Sequence, residues 1–386
     1  MLDAPQSTQM ASRPGFIEFT WGQPDPNLLP VEAMRRATAT AADRFGADAL
    51  AYGAAAGAGP LLAWIGNRIQ QKEGVALTLD EITGTAGNSD AVDQICTLFT
   101  KPGEVVLVES PTYHLAVRIM RDHALDLVAV PTDAHGLQIE ALKVSLAQLK
   151  REGRPPRLLY TIPTFHNPSG VSLSAERRRA LIEIAVEEGF VLVEDDVYRE
   201  LAYDSPPPPS LFSQAPRGTV LRMGSFAKSL APGLRLGWLN GSAEQVRRIV
   251  EGGLRDSGGG VNHYAAMAVS ALCEAGEFDR QVARLNASYR ARRDALLEAL
   301  TEFLPPGCAW ARPAGGFFIW VTLPDALDAT DLLSRAEATK VTYIPGVKFC
   351  LDGRGRSSLR LAFSLYKPDE LVEGARRLGA ALREAP

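Results

Sequence analysis

The chain contains 386 residues, of which 46% are hydrophobic and 22% are charged, an ordinary composition for a globular protein. Its formal net charge of −4 at pH 7 provides no broad basic surface, so we expect no nucleic-acid partner. A chain of this length is too long to form a single simple hydrophobic core, so we expect one large domain and one smaller domain.

Four cysteines, Cys96, Cys273, Cys308 and Cys350, lie far apart in the sequence. Their spacing excludes the usual zinc and redox motifs, so we expect no metal, and it is typical of a reducing compartment. The N-terminus has neither the charged start nor the apolar core of a signal peptide, and no apolar run approaches the roughly 18 residues that span a bilayer. We therefore expect a cytoplasmic protein with no membrane partner.

Short β-rich runs alternate with helical patterns through the middle of the chain. The predicted strands are residues 105–109, 125–130, 157–161, 190–194, 220–223 and 236–240. Amphipathic helical patterns lie between several of them, and one, residues 175–188, ends at Gly189. This rhythm predicts βαβ units and an α/β fold with a mainly parallel sheet between helices.

The pattern changes after about residue 275. A long helix from residue 277 to about 303 is followed by strands near 309–310 and 317–321, then by a helix, a strand and a terminal helix. This region is predicted to form a smaller α+β domain, to which the N-terminal segment contributes. The expected boundaries are residues 1–45 for the N-terminal segment, 46–275 for the large domain and 276–386 for the small C-terminal domain.

Polar side chains follow three predicted strands, at the ends where open parallel sheets bind ligands. These strand ends bring, in chain order, Asn167, Asp195, Tyr198, Ser225 and Lys228. We expect all five side chains to face one crevice.

The segment Ser225-Phe226-Ala227-Lys228 admits two chemical interpretations. Ser-x-x-Lys is the nucleophile signature of penicillin-binding proteins, but their Lys-Thr-Gly motif does not occur here. Pro232 and Gly233 would also cut short the helix on which such a serine lies. The other interpretation is a lysine that holds a phosphorylated cofactor, with Arg235 seven residues later, and the sequence favours it.

Eight short motifs follow one another along the chain. They are Tyr52-Gly53, Thr85-Ala86-Gly87-Asn88-Ser89, Pro111-Thr112-Tyr113, Asn167-Pro168-Ser169-Gly170, Asp195-Asp196-Val197-Tyr198, Ser225-Phe226-Ala227-Lys228, Gly233-Leu234-Arg235 and Arg360-Leu361. In this order and spacing the chain resembles the fold type I pyridoxal-phosphate (PLP) enzymes, specifically the class I/II aminotransferases of the 2-aminoadipate/kynurenine type. The resemblance covers roughly residues 15 to 380 and implies the PLP-transferase fold type I.

The resemblance implies how pyridoxal 5′-phosphate is held at its ring. Lys228 would bond covalently to the cofactor aldehyde and, once substrate frees it, act as general acid–base. Asp195 would keep the pyridine nitrogen protonated, so that the ring serves as an electron sink. Tyr113 would stack on the ring, and Asn167 and Tyr198 would hydrogen-bond its phenolic oxygen.

Another group of residues would hold the cofactor phosphate. The resemblance assigns this role to Gly87, Asn88 and Ser89 at a helix start, where unpaired N–H groups favour an anion. The hydroxyl of Ser225 and the guanidinium of Arg235 would complete the set.

The remaining implied roles concern the substrate and a second subunit. Arg360 would clamp the α-carboxylate of the substrate in a two-point contact, with Asn167 and the backbone around Gly22 in support. The resemblance also implies a homodimer, in which Tyr52 of one subunit reaches the phosphate of the other.

The implied function is a PLP-dependent aminotransferase that moves an amino group from an L-amino acid to a 2-oxo acid by a ping-pong mechanism. A β-lyase or a specialised biosynthetic PLP enzyme is the alternative, because the scaffold alone does not determine which Cα bond reacts. A ligand-sensing transcription factor with an aminotransferase-like domain is a third hypothesis. We expect it to be wrong, because only about 14 residues precede the resemblance.

The chain departs from the family pattern around the mouth of the expected site. Residues 54–56 are alanines where Pro-Thr-Glu is usual, and the segment Gly258–His263 is unusual, is expected near the dimer interface and has no assigned role. Trp21 favours an apolar or aromatic substrate, whereas Arg13 would favour an acidic one if it met a second carboxylate. The donor and the acceptor are therefore left open.

Overall fold

The computed structural model describes residues 13–258 and 260–383, so part of the expected N-terminal segment and Gly259 lie outside the described residues. The strands are β1 (Ile17–Glu18), β2 (Ile82–Thr85), β3 (Val105–Ser110), β4 (Asp126–Asp133), β5 (Gly136–Leu137), β6 (Pro156–Thr161), β7 (Val191–Asp195), β8 (Val220–Ser225), β9 (Gly237–Asn240), β10 (Ala309–Trp310), β11 (Phe318–Thr322), β12 (Val341–Thr342), β13 (Ile344–Pro345) and β14 (Ser358–Ala362). The helices are α1 (Val31–Phe45), α2 (Gly59–Glu73), α3 (Asn88–Phe99), α4 (His114–Asp122), α5 (Ile139–Arg151), α6 (Ala175–Glu188), α7 (Leu211–Gln214), α8 (Ala243–Val250), α9 (Gly253–Asp256), α10 (His263–Glu274), α11 (Glu277–Phe303), α12 (Leu333–Ala338) and α13 (Pro368–Arg383).

Eight strands form the central sheet, in the order β2-β9-β8-β7-β6-β3-β4-β5. Strands β8, β7, β6, β3 and β4 run parallel to one another, which confirms the predicted α/β fold with a mainly parallel sheet. Strand β9 is antiparallel to both β8 and β2. Its direction follows from its connection to β8, residues 226–236, which is shorter than the dozen or so residues that a parallel crossover needs.

Strand β3 shows how helices cover both faces of the sheet. All six of its residues are buried. Val106 and Val108 belong to an apolar cluster that includes Ile95 of α3, whereas Val105 and Leu107 belong to a cluster that includes residues of α5 and α6. Side chains alternate between the two faces of a strand, so a strand covered on both faces reads as one continuous apolar run.

A second, antiparallel sheet has the order β10-β11-β14-β13, and the long helix α11 packs against the terminal helix α13 beside it. The N-terminal segment contacts both parts of the molecule. Ile17 pairs with Val341 in the short parallel pair of β1 and β12. Helix α1 packs against α10, and its Ala37 shares an apolar cluster with Leu61. The predicted domain boundaries remain a prediction.

Two searches of the described residues bear on membranes and metals. Among residues 13–258 and 260–383 no helix is long and apolar enough to cross a membrane. Within the same ranges no three side chains of the His, Cys, Asp and Glu types are grouped so that they could hold a metal ion.

Candidate active site

The predicted site residues lie at the carboxyl ends of four neighbouring strands. Tyr113 follows β3, Asn167 follows β6, Asp195 ends β7 and Lys228 follows β8. These strands are consecutive and parallel in the sheet, so their carboxyl ends meet at one edge. The structure therefore brings together residues that are up to 115 positions apart, from 113 to 228.

Asp195 lies at the bottom of this site with both carboxylate oxygens engaged. Asn88 Nδ2 donates to Oδ1 at 2.5 Å, and the hydroxyl of Tyr160 donates to Oδ2 at 2.7 Å. Burial raises the pKa of Asp195, and these two hydrogen bonds oppose the rise because they stabilise the ionised form. The neighbouring Asp196 points elsewhere, as expected, and accepts a hydrogen bond from Arg222 Nε at 3.0 Å.

Tyr160 is a site residue that the sequence reasoning missed. It is fully buried within strand β6, where the sequence pattern does not distinguish it from the apolar residues of the strand. Burial raises the pKa of Tyr160 well above its ordinary value, so its hydroxyl is a neutral donor. Its place on the strand that leads to Asn167 is the one signal in the sequence, but the sequence alone does not show which face of the strand its side chain occupies.

The amine of Lys228 is buried near three charged side chains, those of Arg360, Asp195 and Arg235. Its Nζ donates to the backbone carbonyl of Gly22 at 2.7 Å and lies 5.9 Å from the centre of the Phe317 ring. Burial, and after it the positive charge of Arg360, lowers the pKa of Lys228 to about 8, although Asp195 acts in the opposite direction. An amine with this pKa can exchange its proton near neutral pH.

Arg360 reaches the site from β14 of the second sheet. Its Nη1 donates to Asn167 Oδ1 at 2.9 Å and its Nη2 to the carbonyl of Thr20 at 2.6 Å. The guanidinium is buried beside the rings of Phe318 and Phe349, and burial lowers its pKa to about 10. Within the described part of the chain it forms no ion pair, and its buried Nε has no hydrogen-bond partner. A buried guanidinium that has no ion-pair partner and one unused N–H group can bind a carboxylate.

The other end of the site is a tight turn that leads into helix α3. Gly87 occupies the cap position with a φ of 93°, a conformation that glycine adopts without strain. Arg235 lies over this turn, with its Nη2 donating to the carbonyl of Ala86 at 2.7 Å. A Cβ atom on Gly87 would stand 3.0 Å from the same Nη2. Ser89, in the first turn of the helix, is exposed.

Ser225 and Tyr198 are both buried in the walls of the site. The hydroxyl of Ser225 donates to the carbonyl of Leu236 at 3.3 Å and accepts from the backbone N–H of Ala227. Tyr198 packs edge-on against Phe317, with ring centres 5.5 Å apart, and burial raises its pKa. Tyr113 precedes helix α4, and burial raises its pKa as well.

Tyr52 is not part of this buried centre in its own chain. Its side chain is 90% exposed and lies against Gly258, where an added Cβ atom would stand 3.0 Å from its ring. His263, five residues later, has its Nε2 atom 3.2 Å from the backbone carbonyl oxygen of Asp48. Its ring fits only because residue 53 is glycine, where a Cβ atom would stand 2.4 Å from His263 Nδ1.

The side chains fit a phosphorylated aromatic aldehyde such as PLP. Lys228 offers an amine of lowered pKa, and Asp195 offers a buried carboxylate. Asn88 Oδ1 and Arg360 Nε are buried polar atoms without a partner among the described residues. Gly87 leaves space beside Arg235 at a helix start, where a phosphate is favoured.

Comparison with known proteins agrees with this chemistry. The family model for aminotransferase class I and II matches residues 16–378. Aromatic-amino-acid aminotransferase 1 of Thermococcus litoralis is 33% identical over 95% of this chain and 88% of its own length. The structure of kynurenine aminotransferase from Pyrococcus horikoshii, in complex with PMP, superposes with a TM-score of 0.91 at 33% identity, covering 96% of this chain and 91% of that one.

A second solved structure includes the cofactor joined to an amino acid. The α-aminoadipate aminotransferase of Thermus thermophilus, complexed with N-(5′-phosphopyridoxyl)-L-leucine, has a TM-score of 0.86 at 34% identity and covers 96% of this chain and 92% of that one. Both the predicted family and the predicted cofactor are thereby confirmed. The chain belongs to the class I and II aminotransferases and is a PLP-dependent transaminase of fold type I.

Proposed function

We propose that this transaminase moves the amino group of an L-amino acid to a 2-oxo acid in a ping-pong cycle, with Lys228 as its acid–base residue. The observation that carries this proposal is the buried amine of Lys228, whose pKa is lowered to about 8. A group that titrates near neutral pH can both accept and release a proton in each half of the cycle.

Lys228 and Asp195 divide the work at the ring. PLP, when bound, supplies the electron sink that delocalises the charge left at the substrate Cα. Lys228 would take up the proton from the substrate Cα and would release it at the cofactor's C4′. Asp195 holds the ring nitrogen protonated, and the hydrogen bonds from Asn88 and Tyr160 support this role because they favour a charged carboxylate.

The other predicted residues hold the cofactor in place. Tyr113 would stack on the ring, and Asn167 and Tyr198 would hydrogen-bond its phenolic oxygen. The phosphate is held by Gly87, Asn88, Ser89, Ser225 and Arg235. This location is supported by the start of the twelve-residue helix α3 and by the guanidinium above Gly87.

Arg360 binds the α-carboxylate of the substrate, with Asn167 and Gly22 beside it. For the side chain we propose an apolar or aromatic donor. Arg13, the candidate for a second carboxylate, is already paired with Glu18 at 2.9 Å and with Glu337 at 3.1 Å. Trp21 donates its indole N–H to the same Glu18, which keeps the ring beside the N-terminal strand.

A homodimer completes the proposal. Leu50, Tyr52, Leu254 and Tyr264 are large apolar side chains that are exposed in the single chain, and each either lines one cavity or is next in sequence to a residue that does. We refer to them as the exposed patch. A cavity of about 200 Å³ lies beside Tyr52 and is lined by Arg255, by Gly258 and by parts of residues 51–57 and 260–263. Exposed apolar side chains grouped around one cavity favour a protein–protein contact. We also propose a cytoplasmic location, consistent with four free cysteines, and the domain boundaries given above.

The proposed function is tested by mixing the purified holoenzyme with a panel of L-amino acids, without an acceptor. Donors should convert the cofactor absorbance to that of pyridoxamine phosphate and release one equivalent of 2-oxo acid, with aromatic and apolar donors reacting fastest. Lys228→Ala should abolish the conversion. Release of ammonia together with the oxo acid would show elimination, as in a β-lyase, and no conversion with any donor would contradict the proposal.

A further inference from the structure

Arg255, on the short helix α9, is buried next to helix α3 and plays no part in the proposed mechanism. Only 3% of the residue is exposed. Its Nη2 donates to the carbonyl of Gly84 at 2.7 Å, and its Nε and Nη2 each lie 3.2 Å from Gln94 Oε1. Its Nη1 is buried and has no partner among the described residues.

The charge of Arg255 is poorly compensated. Among the described residues its ion-pair partner is Asp90, whose Oδ2 lies 3.9 Å from Arg255 Nη2. Burial accordingly lowers the pKa of Arg255, because the charged form loses its solvation. Arginine is seldom fully buried unless it is paired, so packing alone does not account for a guanidinium here.

A chain of hydrogen bonds leads from Arg255 to the turn before helix α3. Gln94 accepts from Arg255 through Oε1 and donates through Nε2 to Asp90 Oδ2 at 2.7 Å. The same Asp90 oxygen accepts from the backbone N–H of Ala86 at 2.8 Å. The carbonyl of Ala86 in turn accepts from Arg235 at 2.7 Å. The peptide groups on both sides of Ala86 are thus fixed, one by the Arg255 chain and the other by Arg235.

We propose that Arg255 is a positioning residue for the cofactor phosphate. Through Gln94 and Asp90 it fixes the turn at Ala86 and Gly87, and its charge, which Asp90 compensates only in part, adds to the positive potential at the start of α3. The ligand class is a phosphate dianion that Arg255 itself does not touch. This inference rests on the proposed function, which locates the phosphate at the same turn.

The test compares pyridoxal phosphate with pyridoxal, which lacks the phosphate, as ligands of the full-length apoenzyme. Arg255→Met should bind pyridoxal phosphate roughly tenfold more weakly, about 1.4 kcal/mol, with little change for pyridoxal. Arg255→Lys keeps the charge and should lie between the wild type and Arg255→Met. Arg247→Met, which removes an exposed arginine from helix α8, is the matched control and should match the wild type for both ligands.

Gln94→Met breaks the same hydrogen-bond chain without removing the buried charge, so the inference stays testable if Arg255→Met does not fold. The double variant should lose little more than the stronger single variant, because both changes interrupt one chain. Equally weaker binding of both ligands would show that Arg255 only supports the fold. Unchanged binding of both would show that Arg255 does not position the cofactor phosphate. Either result overturns the inference.

Arg235→Met separates this inference from the proposed function. Selective loss of pyridoxal phosphate binding in Arg235→Met, with normal binding in Arg255→Met and Gln94→Met, would overturn only the role of Arg255. If Arg235→Met also fails to discriminate between the two ligands, the phosphate does not bind at this turn, and the proposed site is wrong.

Discussion

At the scale of the residue, burial sets the proton affinity of Lys228. Its pKa is lowered from an ordinary value of 10.5 to about 8, so the amine is protonated below pH 8 and neutral above it. Only the neutral amine can attack the cofactor aldehyde. We therefore expect the rate at which the apoenzyme recombines with PLP to rise with pH and to reach half its maximum near pH 8.

The measurement is the recombination rate, followed by absorbance between about pH 6 and about pH 11, a range that includes both the expected midpoint and the free-lysine pKa of about 10.4. Free Nα-acetyl-lysine is the control, and its rate should rise around its ordinary pKa of about 10.4. A midpoint for the protein at the free-lysine value would show that Lys228 is not perturbed.

Tyr160 should matter for catalysis through Asp195. In Tyr160→Phe the carboxylate loses one donor, and a hydrogen bond to a charged group contributes about 1.5 kcal/mol, so kcat should fall roughly tenfold. Cofactor binding should persist, because the contacts to the phosphate are unchanged. Steady-state kinetics measure the effect.

Tyr343→Phe is the matched control for that change. The hydroxyl of Tyr343 also donates to a buried acceptor, the carbonyl of Ala329 at 2.7 Å, but it lies in the part of the molecule that carries the second sheet. It should lower stability without lowering kcat. Equal kcat values for Tyr160→Phe and the wild type would show that the bond to Asp195 is dispensable.

The sequence revealed the residues of this site that occur in ordered motifs and missed those that act through them. Asp195 and Lys228 were predicted from motif order, and the structure brings both to the same sheet edge. Tyr160 and Gln94 lie inside a strand and a helix, where their spacing matches ordinary core positions. Their contacts with Asp195 and Arg255 span 35 and 161 residues of chain, so no local pattern in the sequence indicates these contacts.

At the scale of the element, the turn before helix α3 depends on one glycine. Gly87→Ala would place a Cβ atom 3.0 Å from Arg235 Nη2, and its φ of 93° is unfavourable for alanine by about 1–2 kcal/mol. We expect lower stability and weaker binding of PLP, because Arg235 must move away from the turn.

Gly103→Ala is the control, since Gly103 also has a positive φ, 84°, but has no atom within 4 Å of an added Cβ. It should share the loss of stability, measured by thermal unfolding, and retain the affinity for PLP, measured by titration. If both variants bind PLP as the wild type does, close approach at Gly87 is not needed for the cofactor.

Elements with strong local signals were predicted well, and those that depend on connections were not. Helix α6 has its predicted bounds because Ser174 caps its start and Gly189, with a φ of 74°, ends it. Strand β9 was predicted as a strand, but its antiparallel direction and its place between β8 and β2 follow from tertiary pairing.

At the scale of the whole molecule, the site is assembled from both sheets and the N-terminal segment. Lys228 follows strand β8 of the central sheet, Gly22 lies in the N-terminal segment and Arg360 lies on β14 of the second sheet. The sequence predicted each of these residues but not how they connect: Arg360 bonds Asn167 across 193 residues of chain, and Lys228 bonds Gly22 across 206. Relative movement of the two sheets would therefore change the distance between the substrate carboxylate and the amine.

The exposed patch leads to a prediction about assembly. The wild-type chain should be a dimer in solution by light scattering after size-exclusion chromatography. Leu50 is 77% exposed in the single chain, so Leu50→Arg should leave the fold intact but place a charge in an apolar contact, and it should yield a monomer. Because Tyr52 would then no longer reach a second subunit, the monomer should also bind PLP more weakly.

Val144→Arg is the matched control, because Val144 is 69% exposed on helix α5 and lies outside the exposed patch. The same chemical change there should leave both the dimer and the affinity for PLP unaltered. A Leu50→Arg variant that stays dimeric would place the contact elsewhere on the surface. A monomeric wild type that binds PLP tightly would show that the site is complete within one chain and that Tyr52 has no role in a neighbouring one.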